Sequence, residues 1–219
     1  MTAMFDRLAG KGVAFLDRAG PNRVLGRHRT GLVALTQDGQ AELWRHPLPR
    51  QDEGYVVADE QTIFWNAGGE RWSAIALAAT DGRQLYALEG EHARMLDGDC
   101  FLARNGAGTG SLRRTESGEL IVALPGLNEG PYALAPNRHW LAAGDRTVQL
   151  WDLEAVSLRH SFQPGGNFYQ LRFTPDSAGL VIATIMTPQS GMEDEVTQRT
   201  YDVSTGTLID ERSWWERQG

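Results

Sequence analysis

A short apolar run, a turn containing Gly and a second apolar run recur along this chain. That recurrence restricts the fold more than any other feature. It reads Leu77-Ala-Ala-Thr-Asp-Gly-Arg-Gln-Leu85-Tyr-Ala-Leu88, then Leu112-Arg-Arg-Thr-Glu-Ser-Gly-Glu-Leu120-Ile-Val-Ala-Leu124. Altered copies are Leu150-Trp-Asp-Leu-Glu-Ala-Val-Ser-Leu158 and Tyr201-Asp-Val-Ser-Thr-Gly-Thr-Leu208. Aligned on Leu85, Leu120, Leu158 and Leu208, the copies are 35, 38 and 50 residues apart. A further copy, Leu32-Val-Ala-Leu-Thr-Gln-Asp-Gly-Gln-Ala-Glu-Leu-Trp44, sets its Asp38-Gly39 turn 43 residues before Asp81-Gly82. Repeats of this length with regular turn signals imply stacked β units.

Five units follow, near residues 12–50, 54–91, 92–127, 130–164 and 167–213, within one domain spanning 1–219. The second unit predicts four strands: Tyr55-Val-Val-Ala58, Thr62-Ile-Phe-Trp65, Ser73-Ala-Ile-Ala-Leu77 and Gln84-Leu-Tyr-Ala-Leu88. Asp, Asn and Gly between them supply hairpin turns. No segment after residue 20 has a helical period, whereas residues 3–16 read as a short helix. The expected fold is therefore all-β, a β-propeller-type array of about five four-stranded antiparallel blades, closed or open. An open array would leave a strand edge or blade face available for self-association.

Two segments carry a family resemblance. Unit four contains Ala133-Leu-Ala-Pro-Asn-Arg-His-Trp-Leu-Ala-Ala-Gly-Asp-Arg-Thr-Val-Gln-Leu-Trp-Asp152, and unit five opens Leu171-Arg-Phe-Thr-Pro-Asp-Ser-Ala-Gly-Leu-Val-Ile-Ala183. Both resemble WD40 repeats. The resemblance implies a propeller that holds protein partners. It also implies a buried hydrogen-bond network in which Asp145 joins Trp151. Asp38 and Trp44 share that spacing, although a hairpin reading of the same segment competes. Gly126-Leu-Asn stands where the family has Gly-His, and Ala143 stands where a hydroxyl is usual. Units two and three also resemble quinoprotein-type propeller repeats over Ala76-Leu-Ala-Ala-Thr-Asp-Gly-Arg-Gln-Leu85.

Net charge −7 speaks against sequence-independent nucleic-acid binding, which needs a basic face. Cys100 is the only cysteine, so no internal disulfide or Cys-rich zinc site can form, and it reads as buried filler. No stretch approaches a membrane span. Asp6, Arg7, Asp17 and Arg18 interrupt the N-terminus, so no secretory pattern is present and a cytoplasmic location is expected.

The chemical motifs are weak. Asn105-Gly-Ala-Gly-Thr-Gly110 lies between two predicted strands with no Lys after it, unlike a phosphate loop. The five His, at 28, 46, 92, 139 and 160, form neither His-x-His nor His-Glu-x-x-His. Asp97-Gly-Asp99 offers too few carboxylates for calcium and reads as a turn. No Gly-x-Ser-x-Gly elbow occurs. No catalytic residue, metal site or cofactor is assigned.

Two features depart from the repeat. Met186-Thr-Pro-Gln-Ser-Gly-Met-Glu-Asp-Glu-Val196 reads as an acidic loop inserted in unit five, and Trp214-Trp215 lies near the C-terminus. Glu193, Asp194, Glu195, Trp214 and Trp215 are therefore the candidate partner-binding residues. The expected function is a non-enzymatic, protein-binding scaffold. The alternatives are a small-molecule-binding or hydrolytic propeller with an axial site and, third, a quinone-dependent oxidoreductase.

Overall fold

The computed structural model describes residues 4, 8–11, 13–48, 54–67, 73–144, 146–186 and 193–217. They form five four-stranded antiparallel sheets, each built from four consecutive strands in chain order. This is the expected β-propeller-type array of blades. The chain divides into two compact units, residues 1–121 and 122–219.

In the first unit, blade one holds β1 (Val13–Arg18), β2 (Arg23–His28), β3 (Gly31–Thr36) and β4 (Glu42–Pro47). Blade two holds β5 (Gly54–Ala58), β6 (Thr62–Ala67), β7 (Ser73–Ala78) and β8 (Gln84–Glu89). Blade three holds β9 (Glu91–Met95), β10 (Cys100–Asn105), β11 (Gly110–Arg114) and β12 (Leu120–Leu124), and the division after residue 121 falls within β12. The first strands are neighbours, β1 beside β5 and β5 beside β9, as radially arranged blades require.

The middle strand β6 shows why blades stack. Side chains alternate between the two faces of a strand, so Ile63 and Trp65 pack with Leu25, Leu32, Ala34 and Trp44 of blade one. Phe64 turns the other way, against Ala93, Phe101 and Ala103 of blade three. The Phe64 and Phe101 ring centroids are 4.6 Å apart. An apolar run without polar alternation is what a strand buried on both faces needs. On the opposite face of blade one, Met4 and Leu8 pack with Val13, Val24, Val33 and Leu35. The helix expected over residues 3–16 is corrected here. Helical residues are Met4 and Leu8–Gly10, and Val13–Arg18 is β1, whose pairing with β2 satisfies its backbone.

The second unit holds β13 (Tyr132–Leu134), β14 (Trp140–Gly144), β15 (Val148–Asp152) and β16 (Ser157–Phe162) in blade four. Blade five holds β17 (Asn167–Phe173), β18 (Gly179–Met186), β19 (Glu193–Asp202) and β20 (Leu208–Arg217). Their shared core joins Ala142, Val148, Leu150 and Phe162 to Phe173, Leu180, Ile182 and Val203.

The repeated Gly has a packing role besides its turn role. Gly82 lies in the β7–β8 turn at φ 70°. The Trp44 ring of the preceding blade covers it so closely that a Cβ there would stand 2.5 Å from the ring. Trp44 Nε1 donates to Ala79 O of the same turn at 3.0 Å. Tyr86 repeats this one blade on. Its ring covers Gly118, where a Cβ would meet it at 2.9 Å, and its hydroxyl donates to Thr115 O at 2.6 Å. Burial pushes the Tyr86 phenol well above its ordinary pKa, which keeps it a neutral donor. In the second unit, His160 covers Gly206 and lies 3.3 Å from Ser204 O through Nε2. Gly82→Ala is therefore expected to cost about 2–4 kcal/mol, combining a left-handed backbone with a steric clash. Gly90 has φ 75° but nothing within 4 Å of a built Cβ, so Gly90→Ala should cost only about 1 kcal/mol. Urea unfolding of the two variants checks the difference.

Candidate protein-binding edge

Blade five departs from the other blades at its outer side. β19 and β20 have ten residues each, whereas the outer strands β4, β8, β12 and β16 have five or six. The acidic segment expected as a loop is corrected in part: Glu193, Asp194 and Glu195 open β19. Alternation around Val196 and pairing with the C-terminal segment place them in the sheet. Residues 187–192 lie outside the described residues. Trp214 and Trp215 belong to β20, which is the free edge of its sheet. The register sets Glu195 opposite Trp215, Val196 opposite Trp214 and Asp194 opposite Glu216. The two departures from the repeat are thus one ribbon.

Opposed residues share a face of the sheet. Met186, Glu195 and Trp215 stand abreast on one face, with Thr184, Thr197 and Ser213 in the next row. Ile185, Val196 and Trp214 form a row on the other. Val196 is fully buried, while Trp214 is 41% exposed, Trp215 59%, Met186 57% and Ile209 62%. Thr197 Oγ1 and Ser213 Oγ are 3.0 Å apart. Arg199 pairs with Glu211 at 2.7 Å and also donates to Pro164 O, which ties the ribbon back toward blade four. Burial raises the pKa of the Tyr201 phenol at the base of the ribbon. The ribbon is therefore held firmly at its base and offers indoles, carboxylates and unpaired strand edge further out.

Unit four keeps one side of the WD40 expectation. Trp151 is buried, but its Nε1 faces Gln149 Oε1 at 3.3 Å. Gln149 Oε1 also accepts from Asn128 N, and its Nε2 donates to Gly126 O. Asn128 donates to Thr147 O as well. Gln149 and Asn128 thus tie the strand to the preceding segment. Asp145 lies outside the described residues. Asp38 accepts from Thr36 Oγ1 and Gln40 N, so the hairpin reading of that segment is the one the fold adopts.

The remaining motifs are turns. Asn105 Oδ1 accepts from Ala107 N and Thr109 N, which occupies amides a phosphate loop would need. Asp97 Oδ1 accepts from Asp99 N and Cys100 N. Cys100 is buried. On the first strands of the first unit, His92 meets the Tyr55 ring edge-on at 5.7 Å and Arg94 lies 5.2 Å from it. His92 Nε2 is also 2.8 Å from Ala67 O, and Glu91 pairs with Arg113 at 3.2 Å. Among the described residues no group of three or more His, Cys, Asp or Glu is arranged to hold a metal, and no helix is long and apolar enough to cross a membrane.

No protein-family model and no curated protein matches the chain. Solved structures do. A eukaryotic initiation factor superposes with TM-score 0.66 at 13% identity, over 94% of this chain and 56% of that one. BamB from Moraxella catarrhalis gives TM-score 0.56 at 13% identity, over 91% and 63%. A chain of a mitotic checkpoint complex gives TM-score 0.58 at 13% identity, over 91% and 63%. The chain therefore spans less than two thirds of these structures. At such identities the likeness concerns fold alone, and with the five antiparallel blades it supports a β-propeller-type fold.

Proposed function

We propose that this chain is a non-enzymatic propeller scaffold that binds protein partners through the β19–β20 ribbon. The observation that carries this reading is the register that brings Glu195 and Val196 opposite Trp215 and Trp214 on a free edge. Exposed Trp on a rigid support is a frequent source of binding energy, and nearby carboxylates steer approach. One of the similar folds belongs to a named multiprotein complex, which supports the same class of role. A cytoplasmic setting is part of this proposal.

The test needs a partner recovered with the wild-type chain and then purified for titration. Replacing Glu193, Asp194 and Glu195 by amides should slow association in a salt-dependent way. Replacing Trp214 and Trp215 by Ala should speed dissociation by about tenfold or more. Undiminished affinity for a variant carrying both sets of changes would overturn the proposal.

A further inference from the structure

We infer that the β20 edge pairs with β20 of a second copy of this chain, antiparallel, about a two-fold axis at Trp214. The inference rests on the ribbon being a protein-binding edge and adds the occupant. Long exposed edges invite strand addition, and proteins usually blunt them with short strands, Pro, bulges or charged side chains. β20 has ten residues, exposes Trp214 and Trp215, and carries charges of both signs, so whether its edge repels a second copy depends on the register.

Charge and symmetry select the register. A two-fold axis relating two antiparallel edge strands stands normal to the sheet and keeps each face on its own side. Side chains alternate with period 2, so residue i meets residue j only when i and j are both odd or both even. An axis at Ser213 would set Asp210 against Glu216. An axis at Arg212 or Glu211 would set that residue against its own copy. An axis at Trp215 pairs fewer residues and makes no opposite-charge pair. The axis at Trp214 pairs residues 211–217, the seven last residues of β20. It sets Trp214 against Trp214 and Arg212 against Glu216 twice. No like charges meet across the junction in that register.

The charged groups of β20 suit this arrangement. Arg212 is largely exposed and contacts Asp210 at 2.8 Å along its own strand. Glu216 is exposed and faces Asp194 across the hairpin, an unfavourable like-charge pairing. A guanidinium arriving on the other side of Glu216 offsets that repulsion. A junction this small implies a dimer dissociating at about 10–100 µM.

Sedimentation velocity on the full chain, from about 1 to 200 µM, tests the inference. The wild type should dimerise with rising concentration. Arg212→Glu and Glu216→Arg should each weaken the dimer by about tenfold or more, because each turns two attractions into two repulsions. An equimolar mixture of these two variants should dimerise again, since only the mixed pair restores both attractions. The double variant R212E/E216R should also recover. Far-UV circular dichroism establishes that each variant is folded, and Trp214→Lys, which sets two ammonium groups on the axis, provides an independent way to break the dimer. A wild type that stays monomeric, or single variants that do not recover on mixing, overturns the second-copy inference. If a different partner still loses affinity when Trp214 and Trp215 are removed, the binding edge stands with another occupant. If that affinity is unchanged, the edge reading itself fails.

Discussion

Asn66→Ala should lower the stability of the first compact unit by about 2–4 kcal/mol, the cost of stranding two buried backbone groups. Asn66 is fully buried near the end of β6. Its Nδ2 donates to Ala93 O at 3.1 Å, and its Oδ1 accepts from Ala93 N at 2.6 Å. One side-chain amide thus pairs with both main-chain groups of a β9 residue and joins blade two to blade three. Removing it leaves an N–H and a C=O away from water with no replacement partner. Asn66→Leu separates the causes. It fills similar space and forms neither bond, so it should remain almost as destabilised as Asn66→Ala. Urea unfolding with unchanged slope is the measurement. A Leu variant as stable as wild type would show that volume, rather than hydrogen bonding, sets the cost.

Trp44→Ala should cost about 3–5 kcal/mol, as truncation of a large buried aromatic does. The ring packs with Leu25, Leu32, Ile63, Trp65 and Leu77 and covers Gly82. Trp44→Phe should cost far less, because it keeps much of the packing and loses chiefly the bond to Ala79 O. The two partners should also couple. Gly82→Ala should cost less in the Trp44→Ala background than alone, because the ring its Cβ would strike is gone. A double-mutant cycle measures this coupling. Simple additivity would show that Trp44 and Gly82 do not constrain each other.

The strands and turns were readable from sequence because they depend on neighbours a few residues apart. Asp38-Gly39, Asp81-Gly82 and Ser117-Gly118 mark hairpins, and all three glycines have φ near 70°. The run Thr62-Ile-Phe-Trp65 shows a strand buried on both faces. Asn66 was misleading for the same local reason. Followed by Ala-Gly-Gly, it reads as a turn residue, yet its partner Ala93 lies 27 positions away. The WD40 resemblance pointed to the right Trp in unit four, but Gln149, two residues before it in the strand, faces its indole.

The ribbon illustrates a different limit. Glu195 and Trp215 both stood out in the sequence, but nothing local places them opposite each other. Their register depends on an irregularity between Thr200 and Tyr201, where Tyr201 pairs with Leu208 but Thr200 pairs with Asp210. Without that extra residue every later pair would shift by one and change face. Glu195 would then meet Trp214.

The aromatic-over-glycine contacts give the array a direction. Trp44 reaches forward to Gly82, Tyr86 to Gly118 and His160 to Gly206, so blade two, with Gly82 and Tyr86, carries both an outgoing ring and a bare turn for the ring before it. Met4 and Leu8 lie over Gly39 in the first blade, giving that turn a cover without an aromatic strand. Such a unit is a tile with its own connectors. Duplicating it whole supplies a matching plug and socket together, whereas a cut through its middle separates them. Growth by complete repeats thereby preserves the joints.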